Sequence, residues 1–368
     1  MKCKEHEMKG CSFYCKDCKE FICVKCITKA HKEHDVVDEE DHNTDRNKLL
    51  KTQKETAIEL SKMSLSKVSP MTSGSTVVKD ETEQQQKPEL KVVQHIYTDY
   101  KPIYGLSSYS DGLVLLKTHC YGNLEYAEVT GDNIKVLSSF PVQVLDMTVD
   151  SINNIFLSVQ SSTRLKVINV ITGQISDSIY NVAPFWTSGI HITKDQKVIL
   201  GVVTPGRQMV VVMDEKGNHI KLYELDSTNK AIFTGPCRIT STKNGNIGVV
   251  DVLDTSCRGK IVVLGQTGSI QIYNGHPNVN NQNTPFNPTG ILTTPMDNIV
   301  VTDCNNHTLH ILSCDGLFIA YFSTSLNVDI HLPYSLACSG PRYFYIGCSV
   351  GGYGSMSTKL FKVQYSGF

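Results

Sequence analysis

A dense cluster of cysteine and histidine residues at the N-terminus constrains this chain more than any other feature. Six of its 13 cysteines fall within the first 26 residues. Five of these cysteines and three nearby histidines form four pairs, and two residues separate the members of each pair: Cys3 and His6, Cys15 and Cys18, Cys23 and Cys26, and His31 and His34. Such a spacer lets both members of a pair bind one metal ion from a tight turn.

Eight ligands are too many for one ion, because zinc in structural sites takes four nitrogen or sulfur ligands. The spacing therefore predicts two zinc ions bound by Cys3, His6, Cys15, Cys18, Cys23, Cys26, His31 and His34. So short a segment has little apolar surface to bury, and zinc binding must supply much of its folding free energy. Both ions are predicted to be structural, since filled ligand shells leave no position for an activated water. Cys11 falls outside the pairing and is predicted to bind no metal.

The order of these pairs, with Phe13-Tyr14-Cys15 and Phe21-Ile22-Cys23 around two of them, resembles the type-2 B-box of tripartite-motif proteins. The resemblance covers about residues 1–40. In that family, alternate pairs share one ion. The resemblance thus implies one zinc ion on Cys3, His6, Cys23 and Cys26, and a second on Cys15, Cys18, His31 and His34.

The middle of the chain is polar. Residues 44–66 contain no glycine or proline and are predicted to form a short helix, for which a vestigial coiled coil and a plain solvated helix are equal alternatives. Residues 67–89 are rich in serine, threonine and glutamine and are predicted to form a flexible linker. Oligomerisation through the B-box or this helix is left open.

From residue 90 to 368 the sequence predicts an all-β domain built from repeats. A turn followed by a short aliphatic strand recurs six times at spacings of 42 to 52 residues. The six turns begin at Asp111, Asn153, Asp195, Gly245, Asp297 and Pro341. Repeats of this length made of short strands are typical of a β-propeller, with one four-stranded blade per repeat. We therefore expect six blades, and we expect Leu90–Tyr97, which precedes the first repeat, to complete the last blade.

The fifth repeat resembles the NHL repeat. It carries the residues of that motif at Pro288, Gly290, Asp297, Asn298, Asp303, Asn306 and His307. A B-box followed by an NHL-like propeller resembles a tripartite-motif protein. Such proteins usually begin with a RING domain, which this chain lacks, so we expect either a RING-less member or a RING supplied upstream or in trans.

These features favour a non-enzymatic, zinc-binding adaptor that recognises a protein partner through its propeller. The family resemblance implies an alternative, a component of a ubiquitin ligase. RNA binding is a second alternative, but residues 91–368 carry 19 basic and 19 acidic residues, and nothing indicates a basic face. We predict no catalytic residue, because Asp303 and His307 are expected to organise a turn by hydrogen bonding.

The remaining features predict a cytoplasmic protein without a membrane segment. No apolar run approaches the roughly 20 residues that a membrane helix needs, and no signal peptide is recognisable. The seven cysteines after residue 100 are predicted to be buried small hydrophobic residues. Trp186 and the Tyr343–Tyr345 run are predicted to pack between blades, and no ligand-binding residue is predicted in the propeller.

Overall fold

The computed structural model describes five short strands before residue 40 and most of the chain after residue 87. The described residues are 2–3, 6–10, 13–15, 20–22, 36–38, 88–98, 102–110, 112–118, 123–349 and 359–368. The chain divides into two compact units, Met1–Thr82 and Glu83–Phe368. The predicted helix at 44–66 and nearly all of the predicted linker lie outside the described residues.

The first unit contains two small antiparallel sheets. One joins β1 (Lys2–Cys3) to β2 (His6–Gly10). The other has β3 (Phe13–Cys15) at its centre, between β4 (Glu20–Ile22) and β5 (Val36–Asp38).

The second unit is an all-β, propeller-like arrangement of several sheets. Four of them are four-stranded antiparallel meanders in strict chain order. The first contains β11 (Val144–Val149), β12 (Ile155–Val159), β13 (Arg164–Ile168) and β14 (Ile175–Asn181). The second contains β15 (Trp186–Ile192), β16 (Val198–Thr204), β17 (Arg207–Met213) and β18 (His219–Tyr223). The third contains β19 (Pro236–Ser241), β20 (Ile247–Val252), β21 (Gly259–Leu264) and β22 (Ile270–Tyr273). The fourth contains β23 (Pro288–Thr293), β24 (Ile299–Asp303), β25 (Thr308–Leu312) and β26 (Phe318–Ser323).

The two ends of the second unit meet in one eight-stranded sheet. One half is the meander of β7 (Gly105–Ser110), β8 (Leu113–Lys117), β9 (Leu124–Thr130) and β10 (Asn133–Phe140). The other half contains β27 (Pro333–Cys338), β28 (Tyr343–Cys348), β29 (Lys359–Ser366) and β6 (Glu89–Tyr97). β6 pairs antiparallel with β29, so the predicted pairing of Leu90–Tyr97 with the end of the chain is confirmed. A single parallel pair, Asn133 with Tyr97, joins the halves.

The predicted repeat corresponds to one position in every meander. The six turn-and-strand segments lie at or just before the second strands: β8, β12, β16, β20, β24 and β28. Several of these strands contain unbroken apolar runs, such as Val198–Val202 of β16 and Ile299–Val301 of the fully buried β24. An unbroken run is expected where both faces of a strand pack against neighbouring sheets.

Asx-type turns connect many of these strands. In the turn after β17, the Asp214 carboxylate accepts hydrogen bonds from the backbone N–H groups of Lys216 and Asn218. Gly217 has a φ of 83° there, a conformation that glycine adopts without steric cost. Local side-chain hydrogen bonding of this kind makes these turns readable from sequence.

The hydrophobic core is divided among the sheets. Six clusters of buried side chains occur among the described residues, and each combines side chains from two adjacent four-stranded units. Ile96 of β6, for example, packs with Leu116 of β8 and Leu360 of β29. The first strands of the six units also neighbour one another in the order β7, β11, β15, β19, β23, β27 and back to β7.

Helical structure is scarce in the described part of the chain. α1 (Thr324–Val328) is five residues long, and its N-cap is Ser323, whose hydroxyl accepts a hydrogen bond from Leu326 N. None of the helices in the described ranges is long and apolar enough to cross a membrane.

Candidate functional site

The predicted zinc-binding segment begins with a tight antiparallel pair. β1 and β2 place Cys3 directly opposite His6. The two residues are therefore neighbours across the strands, as expected for a ligand pair that binds one ion.

Cys15 occupies the other small sheet, at the end of β3. It lies opposite Glu20 of β4 and Val36 of β5, and its side chain is fully buried. In the sequence, Cys18 lies in the connection between β3 and β4, and His34 lies two residues before Val36. Cys15 thus pairs with β4 and β5, the strands that follow Cys18 and His34 in the sequence.

Three of the eight predicted ligands, Cys3, His6 and Cys15, fall on described strands. The other five, which are Cys18, Cys23, Cys26, His31 and His34, lie outside the described residues, as does Cys11. The donor set fits zinc, because cysteine sulfur and histidine nitrogen are its preferred ligands, and a buried cysteine in a small sheet suits a structural site.

The second unit has a central cavity of about 390 Å³. The first strands of all six four-stranded units line it. Its lining includes Arg238, Asp146, His191 and Lys194. This volume lies within the usual range for small-molecule sites. Whether the cavity can bind or act on a ligand therefore depends on whether its polar side chains are already hydrogen-bonded within the protein.

Arg238 reaches from β19 to two other units. Its guanidinium forms an ion pair with Asp146 of β11 and donates hydrogen bonds to the carbonyl oxygens of Leu145 at 3.0 Å and Tyr104 at 2.8 Å. Asp146 also accepts a hydrogen bond from the backbone N–H of Ile190, at 2.9 Å. Burial raises the pKa of Asp146, and the charge of Arg238 opposes that effect. The Arg238 guanidinium and the Asp146 carboxylate are thus paired with each other and with backbone groups. This arrangement indicates a structural cross-brace between the first strands of several units.

Other polar groups of the cavity are similarly paired. His191 Nε2 lies 2.8 Å from the Ser241 hydroxyl, and the Thr240 and Thr293 hydroxyls are also 2.8 Å apart. Burial lowers the pKa of His191 to about 4, so the ring is neutral at physiological pH. These hydrogen bonds join the first strands of neighbouring units.

The predicted turn role of Asp303 is confirmed. Its fully buried carboxylate accepts hydrogen bonds from Asn287 N at 3.1 Å and from the Asn306 side chain at 2.9 Å. His307 has a φ of 48°, and its Nδ1 accepts a hydrogen bond from Leu332 N at 2.9 Å. Both residues thus organise connections between strands.

A buried hydrogen-bond network next to Asp303 was not predicted from the sequence. Fully buried His310 lies 3.3 Å from the Asp303 carboxylate through Nε2 and 2.8 Å from the Tyr273 hydroxyl through Nδ1. Tyr273 belongs to the preceding sheet, so this network connects two sheets. The sequence signal is the short apolar run around His310, formed by Leu309, Ile311 and Leu312, which is typical of a strand buried on both faces.

The prediction for the scattered cysteines is correct for some and wrong for others. Cys304 and Cys348 are buried and Cys237 and Cys314 are partly buried, but Cys257 and Cys338 are exposed. Cys120 lies outside the described residues. Burial raises the pKa values of Cys237 and Cys304 to about 12, so both thiols are protonated and poorly nucleophilic at neutral pH.

Trp186 also differs from its prediction, because its side chain is 40% exposed. It is the first residue of β15. Phe344 and Tyr345 are buried as expected, whereas Tyr343 is only partly buried.

Comparison with known proteins supports both units separately. Residues 1–38 match the B-box zinc finger family, which implies zinc binding. Comparison with curated protein sequences gives no match. Among solved structures, the chain is similar to the PQQ-bound aldose sugar dehydrogenase of Streptomyces coelicolor, with 11% identity and a TM-score of 0.53 over 76% of this chain and 99% of that one. It is also similar to a gluconolactonase of Xanthomonas campestris, with 9% identity and a TM-score of 0.54 over 76% and 90% of the chains.

At such low identity, these likenesses establish the fold alone. The chain therefore has a B-box zinc finger at its N-terminus, followed by a β-propeller-like fold.

Proposed function

We propose that this protein is a cytoplasmic, zinc-binding adaptor that recognises a protein partner through its propeller, while the B-box supports assembly. The observation that carries the proposal is the combination of a B-box zinc finger with a propeller-like unit in whose cavity Arg238 pairs with Asp146 and His191 with Ser241. A rigid propeller with variable connecting loops is suited to recognition.

The B-box is proposed to bind two zinc ions in an alternating arrangement. Cys3, His6, Cys23 and Cys26 would hold one ion, and Cys15, Cys18, His31 and His34 the other. The direct pairing of Cys3 with His6 supports their sharing an ion. The position of Cys15 opposite Val36, close in sequence to His34, supports the second set.

Zinc content tests this assignment. Elemental analysis of the purified full chain should give two zinc ions per molecule. Cys15→Ser should lose at least one of them, because a tetrahedral site lacking a ligand binds zinc poorly. Cys257→Ser, an exposed cysteine of the propeller, is the matched control and should keep the full content. Undiminished zinc in Cys15→Ser would contradict the ligand set.

The second unit is proposed to be a six-bladed, NHL-like propeller of a tripartite-motif protein. The closed order of the six first strands and the pairing of β6 with β29 support six blades and ring closure. The bonding of Asp303 and Asn306 in the fifth repeat supports the NHL-like assignment.

Adaptor function is favoured over catalysis by the hydrogen bonding in the cavity. The carboxylate of Asp146 and the guanidinium of Arg238 are held by each other and by the backbone, and His191 is paired with Ser241. A general acid or base needs a group that can reach a substrate proton. The balanced charge of residues 91–368 also favours a protein partner over RNA.

A ubiquitin-transfer assay separates the adaptor from a self-sufficient ubiquitin ligase. The purified full chain is incubated with ubiquitin, activating enzyme and a panel of conjugating enzymes. We expect no transfer above the reaction without the chain, since the proposal assigns recruitment of a conjugating enzyme to another subunit. Robust transfer by the chain alone would contradict the adaptor assignment.

A further inference from the structure

The outer strand of the fourth meander, β26, is an open sheet edge. It pairs with β25 on one side, and no described strand pairs with the other. We call this open side of Phe318–Ser323 the β26 edge. Its free N–H and C=O groups can template the addition of another strand.

The β26 edge lacks the charged residues that normally protect such strands. Lys135, Asp177 and Lys221 lie in the outer strands β10, β14 and β18, and β6 contains Lys91. Among the outer strands, only β22, with the sequence IQIY, shares the absence of charge with β26. β26 has the sequence FIAYFS, with no charge and no proline. Phe318, Ile319 and Tyr321 are 38%, 43% and 38% exposed. Natural proteins avoid such edges because they invite pairing with another chain, so this one is a candidate contact site.

A loop beside the edge adds an aromatic surface. The His276 ring stacks on Phe318 with centroids 4.3 Å apart and lies 5.2 Å from the Tyr321 ring. We call these three side chains the aromatic shelf. Strand addition would place alternate side chains of an incoming segment on this side of the sheet.

The loop that carries His276 is firmly held. Asn280 accepts a hydrogen bond from His276 N at 2.9 Å and donates one to the buried Asp303 carboxylate at 2.7 Å. Asn306 in turn donates to the Pro285 carbonyl at 3.0 Å. The shelf is therefore preorganised, which lowers the entropic cost of binding.

Charge restricts the chemistry of a ligand at this surface. Neither residues 274–287 nor β26 contains a lysine, arginine, aspartate or glutamate. A nucleic acid requires cations to neutralise its phosphates, and a charged peptide would lose hydration without gaining an ion pair. An uncharged segment that supplies apolar or aromatic side chains fits the surface best.

The area of the β26 edge distinguishes between two candidate ligands, a short peptide segment and a second copy of the chain. An edge of six residues is about 20 Å long, and a sheet is about 10 Å thick, which gives about 200 Å². A stable dimer buries about 800 Å² per partner. This edge is too small for such a dimer and matches the footprint of a short extended peptide.

We propose that the β26 edge and the aromatic shelf bind an extended, uncharged segment of a protein partner by strand addition. This inference rests on the proposed adaptor function and assigns the recognition site. Main-chain hydrogen bonds to β26 would provide affinity, and apolar side chains at alternate positions would contact the shelf.

Selection from a phage-displayed library of random dodecapeptides on the full chain tests the proposal. We expect uncharged peptides with alternating apolar residues. Bound to the wild-type chain, a selected peptide should slow hydrogen exchange of the β26 amides. Ile319→Lys, which introduces a charge of the kind that protects other edge strands, should weaken binding of the selected peptide by about tenfold or more. Ile179→Lys on the outer strand β14, where Ile179 is 57% exposed, is the matched control and should bind normally.

Any one of the following results would overturn the inference. One such result is that the selected peptides bind Ile319→Lys and wild type equally, and another is that the selection yields no binding peptide. Alternatively, sedimentation could show a wild-type dimer that Ile319→Lys dissociates, which would make a second copy the occupant. Protection of β26 by structured RNA would likewise exclude a peptide ligand. Protein partners captured equally by wild type and Ile319→Lys would leave the adaptor function intact and reject only this site.

Discussion

At the scale of single residues, Arg238 connects distant strands of the propeller-like unit through its side chain. Its partners Tyr104, Leu145 and Asp146 lie 92 to 134 residues away in the chain. No local pattern could have predicted these contacts, because they depend on how distant strands surround the cavity. The zinc ligands could be proposed from sequence, since their two-residue spacing is itself the signal.

Replacing the Arg238 guanidinium should strongly destabilise the protein. Arg238→Met leaves the Asp146 carboxylate buried without its partner, which costs about 3–5 kcal/mol. Arg207→Met removes an exposed ion pair with Glu224 and should cost less than about 1 kcal/mol. Urea unfolding followed by tryptophan fluorescence and circular dichroism compares the two. Similar losses for both variants would show that the Arg238 ion pair is not a cross-brace.

His191 should make stability depend on pH. Its pKa is about 4 in the folded protein, against an ordinary value of 6.5. The unfolded chain therefore binds a proton more readily, and stability should fall as pH drops from about 6.5 to 4. Through this group alone the loss approaches about 3 kcal/mol. His191→Gln should flatten the dependence in that window, as measured by urea unfolding at several pH values, and an unchanged slope would contradict the assignment.

At the scale of elements, the six recurring turns and second strands follow directly from the sequence. Their Asp, Asn and Gly residues specify local turns, and their apolar runs indicate strands buried on both faces. The pairing of β6 with β29 was also predictable, because a propeller needs its ring closed and Leu90–Tyr97 precedes the first repeat. The exposure of Cys257, Cys338 and Trp186 was not, because Cys257 lies in a connection and the other two lie at strand ends, where the local sequence does not indicate burial.

Ring closure by β6 makes a specific prediction. Ile96 is fully buried in one cluster with side chains of β8 and β29, so Ile96→Ala should reduce the free energy of unfolding by about 2–5 kcal/mol. Val93→Ala changes a 43% exposed side chain on the same strand and should stay within about 0.5 kcal/mol. Chemical denaturation of the full chain compares them. Equal stability of both variants would mean that β6 does not close the structure.

At the scale of the whole molecule, the B-box and the propeller-like unit are assigned different tasks. Zinc replaces the core that a short N-terminal segment cannot build. The propeller-like unit has its own core divided among its sheets, so it should not depend on zinc for its fold. Loss of a zinc ligand should therefore leave recognition by the propeller intact.

Affinity capture from a cytosolic extract, both untreated and treated with RNase, tests this account most directly. Wild type and Cys15→Ser full chains serve as baits, the bound proteins are quantified by mass spectrometry, and each candidate is purified to confirm direct binding. We predict that both baits capture the same protein partners, because recognition lies in the propeller. Partners lost from Cys15→Ser, or capture that disappears with RNase treatment, would contradict the account.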